Sequence, residues 1–128
     1  MVGIKSILVV DDDPVIGQMV ARALESLKGI ETCYYKEPDM ALLALRALRP
    51  DLILLDWMMP QMDGLEFIRR MKLMNFNPPI PVFMLTGKRK GYHFEEACDA
   101  GVDGYLTKPV DLNFIKKRVE DYLCSYSN

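Results

Sequence analysis

Short apolar runs alternate along this chain with longer stretches in which apolar residues return every three or four positions. Ile7 to Val10 is continuous and rich in branched side chains, as expected of a strand buried on both faces of a parallel sheet. Asp13 then offers a cap and Pro14 a first helical turn, where a missing N–H does no harm. Val15, Ile16, Met19, Val20, Ala23, Leu24 and Leu27 predict the apolar face of a helix of about four turns, stopped by Gly29. Residues 30–35, "IETCYY", read as a second strand, and Pro38 opens a second helix with Ala41, Ala44, Leu45 and Leu48 on one face and Pro50 beyond its end.

The third run, "LILL" at 52–55, leads through a Pro60-to-Gly64 turn into a helix carrying Leu65, Phe67, Ile68 and Met71. Asp63 and Glu66 have the spacing of a capping box, with Asp in place of the usual Ser or Thr. Asn75 to Pro81 reads as a loop. "VFML" at 82–85 and "GYL" at 104–106 complete five strands. Phe94, Ala97 and Cys98 mark a fourth helix between them. In the last helix Phe114, Ile115, Val119, Tyr122 and Leu123 are expected to face inward, and Lys116, Lys117 and Arg118 outward. Strands alternating with helices predict a three-layer α/β sandwich.

A chain of 128 residues is expected to form one domain over 1–128, almost without tails and with no room for a separate output domain. Sixteen basic against eighteen acidic residues, net -2, supply no bulk attraction to nucleic acid or anionic lipid. No apolar segment approaches membrane-spanning length. Cys33, Cys98 and Cys124 are odd in number, lack C-x-x-C spacing and follow no signal peptide, so a reduced cytoplasmic chain is expected.

Polar residues gather where the predicted strands end, which in an open α/β sheet is where sites are built. Asp11 and Asp12 follow the first strand, Asp56 the third, Thr86 the fourth and Lys108 the fifth. A carboxylate after a strand is usually a turn or helix cap, and Asp13 is read as one. Three clustered carboxylates repel one another unless a cation lies among them, and an all-oxygen set suits Mg²⁺ better than zinc. His93, the lone histidine, has no metal-site companions and is read as a surface or packing residue. A carboxylate attacks phosphorus only when the phosphoryl oxygens are neutralised, so Asp56 would be the acceptor, with Lys108 and Thr86 holding phosphoryl oxygens. The plain structural alternatives are a salt bridge for Lys108 and a helix cap for Thr86.

The sequence closely resembles the receiver domain of two-component response regulators along essentially its whole length. "ILVVDDDP" at 7–14, "DLILLDWMMPQMDG" at 51–64, "VFMLTG" at 82–87 and "GVDGYLTKP" at 101–109 carry the resemblance, in the family's order and spacing. It implies a flavodoxin-like sheet of order 2-1-3-4-5 and a metal pocket in which Asp12 binds Mg²⁺ directly and Asp11 acts mostly through water. Asp56 and the backbone carbonyl of Met58 complete that pocket. The resemblance makes Asp56 the phosphorylated residue, Thr86 and Tyr105 the switch pair, and Lys108 the family lysine, with a cis bond to Pro109. The implied reaction is phosphoryl transfer from a histidine kinase or histidine phosphotransfer protein to Asp56, then hydrolysis, so the domain catalyses its own modification. The signal would leave through the face of helix four, strand five and helix five toward a downstream protein or a missing output domain, with phosphorylation-dependent dimerisation left open. For Tyr105 the structural alternative is a half-buried strand aromatic with an exposed hydroxyl.

The resemblance puts Gly87 where alanine often follows the switch threonine, and Met58 and Lys88 at positions that in relatives border the phosphoryl group, where neither supplies a carboxylate or carboxamide to place water. Slow autodephosphorylation is therefore expected. "GKRKG" at 87–91 is a solvated charge run or a patch recruiting an acidic partner. Two other classes compete: a receiver-like interaction module working without phosphate, which the complete Asp11, Asp12, Asp56, Thr86 and Lys108 set disfavours, and a small flavin or nucleotide enzyme. The latter lacks a glycine-rich phosphate loop after strand one, where three aspartates stand instead. The excised receiver of a DNA-binding regulator or hybrid histidine kinase would read the same way.

Overall fold

The computed structural model describes residues 3–87 and 92–125, with backbone alone at 92–94. The elements run β1 (Lys5–Val10), α1 (Pro14–Glu25), β2 (Ile30–Tyr35), α2 (Pro38–Leu48), β3 (Leu52–Asp56), α3 (Gly64–Leu73), β4 (Val82–Thr86), α4 (Tyr92–Ala100), β5 (Gly104–Thr107) and α5 (Leu112–Ser125). The strands form one parallel sheet of order β2-β1-β3-β4-β5.

Alternate side chains of the central strands go to opposite faces. Leu8, Val10, Ile53, Leu55 and Met84 pack with Leu45, Phe67, Ile68 and Ala97 on the α2, α3 and α4 side. Ile7, Val9, Leu54, Phe83 and Leu85 pack with Val20, Leu24, Ile115 and Val119 on the α1 and α5 side. Both faces are covered, which is why the strands read as continuous apolar runs.

The helix faces are narrower than their periodicity suggests. α1 has 12 residues, nearer three turns than four, and buries Gly17, Val20, Ala21 and Leu24 while Val15 and Met19 are exposed. Phe114 is also turned outward, because Ile115, Val119 and Leu123 form the buried stripe of α5. Arg118 is half-buried rather than outside, its guanidinium lying 5.3 Å from the centre of the Phe83 ring. On α4 Ala97 is buried and Cys98 exposed, while the side chains of His93 and Phe94 lie outside the described residues. Phe67, by contrast, is fully buried.

At the amino ends of the strands two carboxylates fasten the sheet. Asp51 accepts from Ser6 N at 2.8 Å and Asp103 from Val82 N at 3.0 Å.

Candidate functional site

The strand order reverses between β1 and β3, and chain leaving these two strands at their carboxyl ends opens the crevice. Asp11, the first residue beyond β1, is fully buried. Its amide donates to Tyr35 O at 3.2 Å, and its Oδ1 accepts from Asp13 N at 2.9 Å. The Tyr34 hydroxyl donates to the Asp11 carbonyl at 2.6 Å. Tyr34 reaches this place across Gly17, where a Cβ would lie only 2.1 Å from the ring. Burial pushes the phenol up to about 12, helped by the charges of Asp11, Asp13, Asp12 and Glu37, so it stays a donor near neutral pH.

Asp13 caps α1 by accepting from Val15 N and Ile16 N, as its position predicts, and stays out of the cluster. Asp11, Asp12 and Asp56 do converge, each offering an oxygen within 4.8 Å of the others. The Lys108 ammonium approaches Asp11 Oδ2 at 3.1 Å and Asp56 Oδ1 at 3.5 Å. One cation thus serves two buried carboxylates. Burial pushes Asp56 up to about 8, reinforced by the Asp11 charge and by hydrogen bonding to Asp12, with Lys108 opposing. Burial alone would lower Lys108, but Asp56 and Asp11 outweigh it and raise the ammonium above its ordinary range.

The deficit of positive charge fits a hard divalent cation. Three carboxylates converge on a single ammonium, which contacts Asp11 and Asp56, so an oxygen-seeking ion would offset the negative charge left in excess.

Thr86 ends β4 and is buried, and its carbonyl accepts from Lys108 N at 2.7 Å. The backbone thereby fixes the lysine beside the threonine. The Lys108–Pro109 bond is cis, as the resemblance implies. Tyr105 on β5 is half-buried against the α2–α4 side, and its hydroxyl oxygen is buried rather than exposed. The Met58 side chain stands open at the loop surface, whereas residues 88–90, including the rest of the basic run, lie outside the described residues.

Trp57 was not singled out by its sequence position, yet it organises the loop after β3. Its amide donates to Leu85 O at 2.9 Å, and its carbonyl accepts from Gly64 N at 2.8 Å. Its indole Nε1 donates to Glu96 Oε1 at 3.1 Å. Gly64 allows this packing, since a Cβ there would lie 2.2 Å from the indole. Asp63 caps α3 through Glu66 N at 3.0 Å, but the Glu66 carboxylate turns to Arg70 and Arg69, so only half of the expected capping box forms.

Residues 7–120 match the family model of the response regulator receiver domain. The phosphate regulon transcriptional regulatory protein PhoB of Pseudomonas aeruginosa is 41% identical over 123 residues, covering 96% of this chain and 53% of that protein. The DNA-binding response regulator MtrA of Mycolicibacterium smegmatis is 38% identical over 113 residues, 88% of this chain and 48% of that one. The chain spans about half the length of these curated relatives. Among solved structures, the receiver domain of Francisella response regulator 1452 superimposes with a TM-score of 0.82 at 30% identity, covering 94% of this chain and 98% of that one. Vibrio cholerae chemotaxis protein CheY4 gives 0.85 at 28% identity, with 93% and 98% covered. Sheet order, strand-end site and sequence agree, and the chain belongs to the family of response regulator receiver domains.

Proposed function

We propose that Asp56 accepts a phosphoryl group from a phosphohistidine donor, a histidine kinase or histidine phosphotransfer protein. The observation that carries this reading is the shared ammonium: Lys108 lies between Asp11 and Asp56 within a cluster of three carboxylates. An Asp56 oxygen attacks phosphorus, the P–N bond breaks, and its electron pair returns to the imidazole, which takes a proton. Lys108 and the Thr86 hydroxyl receive the phosphoryl oxygens as charge builds on them. Water later cleaves the acyl phosphate and restores the carboxylate.

Asp11, Asp12, Asp56 and the Met58 carbonyl would hold Mg²⁺, whose chemistry when bound is to neutralise carboxylate and phosphoryl charge. Asp56 must be deprotonated to attack, and its raised affinity for a proton is the cost of burial, reinforced by the neighbouring carboxylates. The signal then passes through α4, β5 and α5: Thr86 moves toward the new phosphoryl charge and Tyr105 takes the space it leaves, biasing a two-state surface. The recipient is a downstream protein or an output domain. Among the described residues no helix is long and apolar enough to cross a membrane, and a cytoplasmic setting is part of this proposal.

The test is intact-protein mass after incubation with acetyl phosphate and Mg²⁺. A single phosphate adduct is expected on the wild type, absent in D56N and with a chelator. A folded, Mg²⁺-binding wild type that forms no adduct with acetyl phosphate or with phosphohistidine donors would identify a phosphate-independent module.

A further inference from the structure

Over its described side chains, at 95–100, α4 is thinly anchored. α1, α2 and α3 each bury four residues and α5 buries three. Among the described side chains of α4, at 95–100, Ala97 alone is buried. A segment with one buried side chain leans on its polar contacts for position.

Two such contacts reach it from elsewhere. Lys72 of α3 donates to the Ala100 carbonyl at 2.8 Å, at the C-terminal end where a cation is favoured. Near the middle, Glu96 accepts from the Trp57 indole at 3.1 Å. The indole has one polar atom, a donor, and Trp57 is fully buried, so losing Glu96 would remove its hydrogen-bond acceptor. Trp57 also directly follows Asp56. Its ring rests on Gly64 with no room for even a Cβ between them, and its backbone is bonded on both sides to Leu85 and Gly64. A ring so confined transmits displacement of its backbone instead of absorbing it.

We infer that Glu96 is a positioning residue coupling α4 to the Asp56 loop, with the Trp57 indole as the strut between them. The tether stands on geometry, while its signalling consequence rests on Asp56 being the phosphoacceptor. Coupling between two equilibria is reciprocal, so a partner that favours one placement of α4 shifts the phosphorylation equilibrium of Asp56 in turn.

Amide hydrogen exchange across 95–100 and Trp57 emission test this in the full chain, since Trp57 is the sole tryptophan. The proteins are wild type, E96A, E96Q, W57F and the E96A/W57F pair, each with and without acetyl phosphate and Mg²⁺. Unphosphorylated E96A exchanges faster in α4, by about threefold or more, and its emission shifts, while α1 exchange is unchanged. E96Q keeps an acceptor oxygen and stays near wild type. W57F speeds α4 as E96A does, and the pair adds nothing further. On phosphorylation, wild-type α4 changes its exchange, whereas E96A gains the same mass adduct with that response cut at least threefold.

Wild-type α4 exchange in E96A, or E96Q behaving as E96A, overturns the tether. A normal adduct with a full α4 response in E96A overturns the coupling alone. No adduct on wild type from acetyl phosphate or from phosphohistidine donors overturns the phosphoacceptor reading and the signalling consequence with it, while the unphosphorylated variants still decide the tether.

Discussion

Both ends of the sheet carry carboxylates at strand boundaries, and they are used in opposite ways. At the amino end Asp51 and Asp103 are exposed, and each accepts a backbone N–H from a neighbouring strand. At the carboxyl end Asp11 and Asp56 are buried and share one lysine. The first pair closes a local hydrogen-bond account; the second leaves negative charge in excess. An aspartate at a strand end is therefore informative only together with its partners.

The comparison is broken most completely at Asp56. D56N should abolish the phosphoryl adduct while the protein stays folded, because a neutral isostere relieves repulsion with Asp11. K108A should come next, with adduct formation slowed on the order of 100-fold. It should also destabilise by roughly 2–4 kcal/mol above pH 8, below the range for a sealed ion pair because Lys108 is 18% exposed. Urea titrations should show that loss shrinking at pH 5, where Asp56 holds a proton.

The pH dependence of stability sharpens the contrast. Asp56 rises from 3.8 to about 8 on folding, so between these values the folded state holds a proton that the unfolded state has released. Its contribution is fully present below pH 3.8 and is lost as pH rises toward 8. Denaturation midpoints of wild type relative to D56N should therefore fall across that window, and millimolar Mg²⁺ should restore them at the alkaline side. Equal midpoints at every pH would contradict the crowded-carboxylate account.

D51A and D103A should each cost only about 1 kcal/mol, the loss of one hydrogen bond, and leave adduct formation unchanged. A large effect of either on phosphorylation would erase the distinction between the two ends. The smallest change is expected from M58N, which places a carboxamide at the exposed loop position and should shorten the adduct lifetime severalfold. Unchanged decay would remove Met58 from any role in phosphate lifetime.

Much of this was legible in the sequence because strand boundaries are local. An apolar run that stops at Val10, Leu55 or Leu85 places the next residue at the carboxyl edge, so Asp11, Asp56 and Thr86 could be assembled before the fold was known. Contacts between distant segments were not legible. Tyr34 to Asp11 spans 23 positions and Trp57 to Glu96 spans 39, and no periodicity encodes either. Gly17 and Gly64 held the available signal, since each sits where an aromatic ring crosses a helix start. Apolar spacing overstates the width of a buried helix face: Val15, Met19 and Phe114 have that spacing, but the sheet covers only the middle of each stripe. Charge alone predicts an outward Arg118, yet its planar cation lies against Phe83.

In the proposed function, the charge at the carboxyl end of the sheet serves to make Asp56 a phosphoacceptor. Borohydride reduction of the acetyl-phosphate-treated protein, followed by peptide mass mapping, tests it most directly, because an aspartyl phosphate is converted to homoserine in place. Homoserine is expected at position 56 alone, dependent on Mg²⁺ and formed on the order of 100-fold more slowly in K108A. Homoserine at another aspartate, or an adduct that yields none, would contradict it.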